Sequence, residues 1–158
     1  MNILVTGGTG FIGKPLVEAL LSRGDTVTVL TRSIEKAQAV FSEKTPQFLT
    51  ALSTLKDLNT FDAVINLAGE PIFDKKWTVQ QKEKLRHSRI NLTQQLVRLI
   101  NQSEYPPALI SGSATGIYGN YGDEQITENT NPSTQFTAQL CIDWENAAKQ
   151  ANTRVCLV

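Results

Sequence analysis

The apolar positions of this chain fall into short β-branched or aliphatic runs, separated by longer stretches in which they recur every three or four residues. Five runs have strand length: NILVT at 2–6, TVTVL at 26–30, DAVINLAG at 62–69, ALISGS at 108–113 and RVCLV at 154–158. PQFLTA at 46–51 is a weaker sixth candidate. None alternates cleanly between apolar and polar, the pattern of strands buried on both faces. Between the first two runs, Ile12, Leu16, Ala19, Leu20 and Arg23 share one side of a helix predicted over 12–23. Leu85, Leu92, Leu96, Leu99 and Ile100 mark a second, continuous helix over 79–101, and a third is predicted over 134–151. A shorter helix over 33–41 has Ser33 as its expected N-cap. Strands and helices in alternation predict a parallel sheet with right-handed crossovers, hence one open, doubly wound α/β domain over residues 1–158. Ligands of such sheets bind beyond the carboxyl ends of the strands, which directs attention to the loops at 69–78 and 112–132.

Composition narrows the function. Fifteen Lys and Arg balance fifteen Asp and Glu, so the chain lacks the basic footprint of a nucleic-acid or membrane-surface binder. The one basic stretch, DKKWTVQQKEKLRHSR, is interrupted by Asp74 and Glu83 and reads as a solvated helix face, with His87 exposed on it. Two cysteines and one histidine supply neither a disulfide framework nor a zinc set. Cys141 and Cys156 are expected to behave as small buried hydrophobes, and Trp77 and Trp144 as packing anchors. Nothing approaches the ~20 apolar residues of a membrane span. The expectation is a reduced, cytoplasmic protein with a small-molecule substrate, no metal, and neither nucleic acid nor membrane as partner.

The segment LVTGGTGFIGKP, at 4–15, carries the candidate chemistry. Counted from Gly8 it has the G-x-x-x-x-G-K spacing of a triphosphate-binding loop, but that loop needs Ser or Thr next, to hold magnesium, and Pro15 stands there. Counted from Gly7 it is G-x-x-G-x-x-G between a strand and an amphipathic helix, the setting of a dinucleotide-binding turn. Gly7 then permits the tight turn, Gly10 lets backbone approach a pyrophosphate, and Gly13 lets the helix pack closely, with Thr9, Phe11 and Ile12 completing the loop. After the second strand the chain reads TVTVLTRS, with Arg32 and no acid until Glu35. An acid there would bind a ribose 2′-hydroxyl and an Arg accommodates a 2′-phosphate, so NADP is favoured, with NAD possible.

TGGTGFIG, INLAGEPI, SRINLT, ISGSATGIYG and DWENAA, in that order, resemble the extended and atypical short-chain dehydrogenases/reductases, most of all their epimerase-like, YfcH-like subgroup. The resemblance covers the whole chain and implies an NAD(P)-binding Rossmann fold that acts as an oxidoreductase or epimerase on a small polar, sugar-nucleotide-like substrate. It also implies a parent protein roughly twice this length, with a C-terminal substrate region, so that this chain is the cofactor half. By resemblance Leu67, Ala68 and Gly69, with Glu70 next to them, line the cofactor, and Ser113 is the catalytic serine. The family's Tyr-x-x-x-Lys proton relay is missing: aligning Glu145 with the family's helix glutamate puts Thr137 and Cys141 in those places. Arg89 stands where the family has a structural asparagine. Two expectations follow. Either Tyr118 serves as acid/base with Arg89 lending positive charge and Glu70 or Glu124 orienting substrate, or the domain binds cofactor without turnover, as a sensor or scaffold.

Overall fold

The computed structural model describes residues 1–41 and 44–158. Six parallel strands lie in the order β3-β2-β1-β4-β5-β6: β1 (Asn2–Thr6), β2 (Thr26–Leu30), β3 (Gln47–Leu49), β4 (Ala63–Asn66), β5 (Ala108–Ser111) and β6 (Val155–Leu157). The order reverses beside β1, whose neighbours are β2 in register Asn2 to Thr26 and β4 in register Ile3 to Ala63. The crevice between the loops leaving β1 and β4 is therefore where a doubly wound sheet takes its ligand.

Neighbouring residues of a strand point to opposite faces, and here both faces are covered. Ile3, Val5, Val27, Val29 and Ala63 pack with Val17 and Leu20 of α1 (Gly13–Arg23). Leu4, Val64 and Leu109 pack on the other side with Leu96, Val97, Leu99 and Ile100 of α4 (Leu92–Gln102), and with Ala148 of α5 (Phe136–Ala148). That double burial explains the continuous apolar runs of β1, β4 and β5; in β2 the alternating Thr28 is buried as well. At about 25 cal/mol per Å² of apolar surface removed from water, each such Leu, Ile or Val contributes roughly 1.5–3 kcal/mol before entropy is counted.

The structure revises several local expectations. The buried face of α1 is Gly13, Val17 and Leu20, whereas Ile12 is 66% exposed and Ala19 faces solvent, because the helix docks through its glycine rather than through Ile12. Gly24, at φ 93°, ends α1 and donates to the carbonyls of Leu20 and Leu21. Ser33 caps α2 (Ile34–Gln38) as expected, accepting from the Lys36 amide. The predicted helix over 79–101 is instead α3 (Val79–Arg86), a π-turn (His87–Asn91) and α4. The 3.6-residue pattern survives on either side of that turn, which is why the sequence reads as continuous. No described helix is long and apolar enough to cross a membrane, and no described cluster of His, Cys, Asp or Glu could hold a metal.

Candidate functional site

The turn between β1 and α1 is built by glycine from two directions. Gly7 has φ 70°, and a Cβ there would lie 2.7 Å from the backbone carbon of Leu67. Only a glycine permits both this conformation and this approach of the β4 loop. A Cβ on Gly13 would run into the Gly7 carbonyl oxygen and come within 2.8 Å of the Gly8 Cα, so α1 begins pressed against the turn. Gly10 donates its amide to the Gly7 carbonyl at 3.0 Å and accepts from Lys14 at 2.9 Å. The amides of Phe11, Ile12 and Gly13 have no acceptor among the described residues, and Thr9, Gly10, Phe11 and Ile12 are exposed, Phe11 by 98%. Unpaired amides at the positive end of an 11-residue helix attract an anion. This cradle fits the pyrophosphate of a dinucleotide.

Arg32 lies exposed just past β2 and makes no ion pair or hydrogen bond among the described residues. It is a guanidinium at the end of the strand beside β1, where an adenosine ribose would be read.

Beneath the crevice a polar network ties the strand ends together. Asn66, 1% exposed at the end of β4, accepts from the Thr6 hydroxyl at 2.8 Å and donates to the hydroxyls of Thr93 at 2.8 Å and Ser111 at 3.2 Å. Thr93 also accepts from the Trp144 indole at 3.0 Å and donates to the Arg89 carbonyl at 2.8 Å. Thr6 in turn accepts from the Ala68 amide at 3.2 Å. Every polar atom of the Asn66 side chain has its partner, so the network locks β1, β4, β5, α4 and α5 at one point. Asn66 and Thr93 are site residues that do not stand out along the sequence. The signal available was a polar residue closing the apolar run AVIN and a threonine on the apolar face of α4.

At the end of β5, Ser113 lies just past the strand and donates its hydroxyl hydrogen to Oε1 of Glu145 at 2.6 Å, while Lys149 holds the other carboxylate oxygen at 3.1 Å. The Ser113 oxygen keeps its acceptor capacity, with no donor to it among the described residues. Ser111, fully buried, belongs to the Asn66 network instead. Tyr118 ends the short 3₁₀ turn Thr115–Ile117 and is half-buried, with no hydrogen bond to its phenol among the described residues. Thr137 and Cys141 lie on α5, and Cys141 is buried. Burial pushes the Cys141 thiol up, and the Glu145 carboxylate adds to the rise. It stays a neutral thiol and does no ammonium's work.

Arg89, half-buried in the π-turn, points at the β4 loop. Its Nη1 donates to the Glu70 carbonyl at 3.0 Å and its guanidinium lies 5.5 Å from the Trp144 ring centre. Burial lowers its pKa below the usual guanidinium range, but a guanidinium remains charged at any working pH. The amide of Glu70 donates to Ser88 at 2.9 Å and its carboxylate faces Lys75 at 3.6 Å. Glu124 lies exposed in the loop after β5. Trp77 is the more exposed of the two tryptophans at 41%, edge-on to Phe136 with centres 5.7 Å apart, and Trp144 is buried, so both are packing residues. His87 is exposed, as expected.

Known proteins share this fold. The model of the NAD dependent epimerase/dehydratase family matches residues 3–158. The chloroplastic epimerase family protein SDR39U1 homolog of Arabidopsis thaliana is 36% identical over 166 residues, covering 100% of this chain and 48% of its own length. The human epimerase family protein SDR39U1, solved with NADPH, superposes with a TM-score of 0.84 at 29% identity over 99% of this chain and 52% of its own. A nucleoside-diphosphate sugar epimerase from Corynebacterium glutamicum does so at 0.77 and 30%, over 100% of this chain and 33% of its own. The chain spans about half the length of the curated relatives it matches, 48% in the Arabidopsis protein and in YfhF of Bacillus subtilis alike.

Proposed function

Since the chain belongs to the NAD dependent epimerase/dehydratase family, we propose that its Rossmann domain binds NADP(H), with NAD as the weaker ligand, and serves an oxidoreductase or epimerase acting on a small polar, sugar-nucleotide-like substrate. One observation carries the cofactor reading: at the sheet's switch point lies a glycine cradle whose amides are unpaired among the described residues, and the neighbouring strand β2 is followed by the exposed guanidinium of Arg32. The human relative solved with NADPH supports the phosphorylated form, and the Corynebacterium epimerase supports the substrate class.

In this reading Gly7, Thr9, Gly10, Phe11, Ile12 and Gly13 hold the pyrophosphate through backbone. Arg32 pairs with the ribose 2′-phosphate, worth about 1.5–3 kcal/mol as a charge-assisted contact. Leu67, Ala68, Gly69 and Glu70 line the nucleoside side. A bound nicotinamide supplies hydride exchange. Ser113, its own hydrogen directed to Glu145, accepts the hydrogen bond of a substrate hydroxyl and so orients the carbon that exchanges hydride. Tyr118, close by in the chain with a phenol unpaired among the described residues, holds or releases the proton. The reading includes a cytoplasmic setting, and no nucleic acid or membrane as partner.

A second reading, a cofactor-binding regulator without turnover, is favoured by the buried neutral thiol of Cys141 in the family's lysine position. The two readings share the first test. NADPH fluorescence should change on titration with the chain, and Arg32→Glu should move the ratio of NADPH to NADH dissociation constants about tenfold or more toward NADH. An unchanged ratio removes the 2′-phosphate assignment. Hydride exchange with a panel of nucleotide sugars, compared between the parent and Tyr118→Phe, separates enzyme from regulator.

A further inference from the structure

Two consecutive residues of the π-turn take hold of both backbone groups of one residue in the β4 loop. Ser88 accepts the Glu70 amide at 2.9 Å, and Arg89 donates to the Glu70 carbonyl at 3.0 Å. The guanidinium also occupies the space where any residue but glycine at 69 would place a Cβ, 2.7 Å from Cζ. Trp144 backs it from α5, and the Thr93 hydroxyl ties down the Arg89 carbonyl. π-turns inside helices are rare and concentrate at working sites.

We infer that Ser88 and Arg89 are positioning residues that preset the 67–70 turn for the dinucleotide, with Gly69 kept small to admit the guanidinium. The inference rests on the cofactor reading above. Along this turn Leu67 donates its amide to the Thr6 carbonyl at 3.2 Å, Ala68 to the Thr6 hydroxyl at 3.2 Å, and Glu70 to Ser88. Pro71, next in the chain, biases Glu70 toward extended backbone. Gly69 alone of the four has an amide with no acceptor among the described residues. The clamp thus pins the neighbours of one amide and leaves that amide for a ligand. The same contacts turn Nη1 of Arg89 to the backbone of the turn and set its guanidinium against the Gly69 backbone and the Trp144 ring. Presetting matters because a mobile loop would lose its freedom on binding, and that entropy would be subtracted from affinity.

The test is NADPH titration of the 158-residue chain by nicotinamide fluorescence. Arg89→Ala should weaken binding about tenfold, the equivalent of one charge-assisted hydrogen bond. Guanidinium chloride, well below unfolding concentrations, should restore part of the affinity by refilling the slot, and sodium chloride at equal ionic strength should not. Gly69→Ala, which pushes the guanidinium out, should weaken binding similarly, and the double variant should lose little more than either single one. Arg89→Ala binding as tightly as the parent, or recovering equally with sodium chloride, overturns the inference. If Arg89→Ala does not fold, Gly69→Ala decides, and parental affinity there overturns it. A parent chain that ignores NADPH sinks the cofactor reading itself; a parent that binds, with variants that bind equally well, sinks only the clamp.

Discussion

Replacing Asn66 by Ala measures how much the floor of the crevice contributes. The side chain is 1% exposed and makes three hydrogen bonds, at 2.8, 2.8 and 3.2 Å, to Thr6, Thr93 and Ser111. Each is worth about 1 kcal/mol net. The partners are all 0% exposed, so water cannot replace what is lost without entering the core. Thr93 keeps its bonds to Trp144 and Arg89, and Thr6 keeps the Ala68 amide. Ser111, which has no other side-chain partner among the described residues, bears the largest unpaired penalty, about 1–2 kcal/mol. The expected loss is about 3–5 kcal/mol, against a total stability of about 5–15 kcal/mol for a domain of this kind. Urea unfolding followed by far-ultraviolet circular dichroism should show it as a lower midpoint with an unchanged slope. The exposed Asn146→Ala is the control, expected within about 0.5 kcal/mol of the parent. A loss under about 1 kcal/mol for Asn66→Ala would show that the network is not the lock described above.

Two further outcomes follow from the geometry. Gly13→Ala drives a methyl into the Gly7 carbonyl, so the turn must open; the variant should lose about 1–3 kcal/mol of stability and its NADPH fluorescence response, and a parental response would refute the tight-turn account. Asp25 accepts hydrogen bonds from Arg23 at 2.6 Å and from the terminal amine at 2.9 Å, and these, Arg23 first, hold its carboxyl below the usual carboxylate range. A carboxyl with its folded pKa depressed stabilises fully above its unfolded pKa and ceases to as pH falls through the folded value. Melting temperature should therefore drop less steeply on acidification in Asp25→Asn than in the parent, with the two curves converging in acid; parallel curves would show the contact to be idle.

Much of this protein is legible residue by residue, because the patterns concerned are local. Runs such as TVTVL and ALISGS mark strands through side-chain type alone, Ser33 caps the helix it precedes, and the spacing of Gly7, Gly10 and Gly13 describes a turn whose backbone bonds and packing on α1 lie within eight residues, although the approach of Leu67 to Gly7 does not. Arg32, a cation after β2, is likewise visible from its place after the strand. Strand and helix alternation predicts the doubly wound class, whereas the order with β1 between β2 and β4 comes from the fold itself.

Tertiary contact alone decided the rest. Arg89 and Gly69 are twenty residues apart, and nothing local reveals that one's guanidinium fills the space where the other lacks a side chain. The helical pattern runs unbroken through 87–91, because one extra residue in a turn changes which backbone groups pair without changing which side chains are apolar. Asn66 gains its role only when folding brings Thr6, Thr93 and Ser111 around it, from 60, 27 and 45 positions away. Propensity and periodicity are properties of neighbours along the chain, whereas the satisfaction of a buried polar group depends on neighbours in space. That is why the cradle could be read from the sequence, and the clamp and the lock beneath it had to be seen.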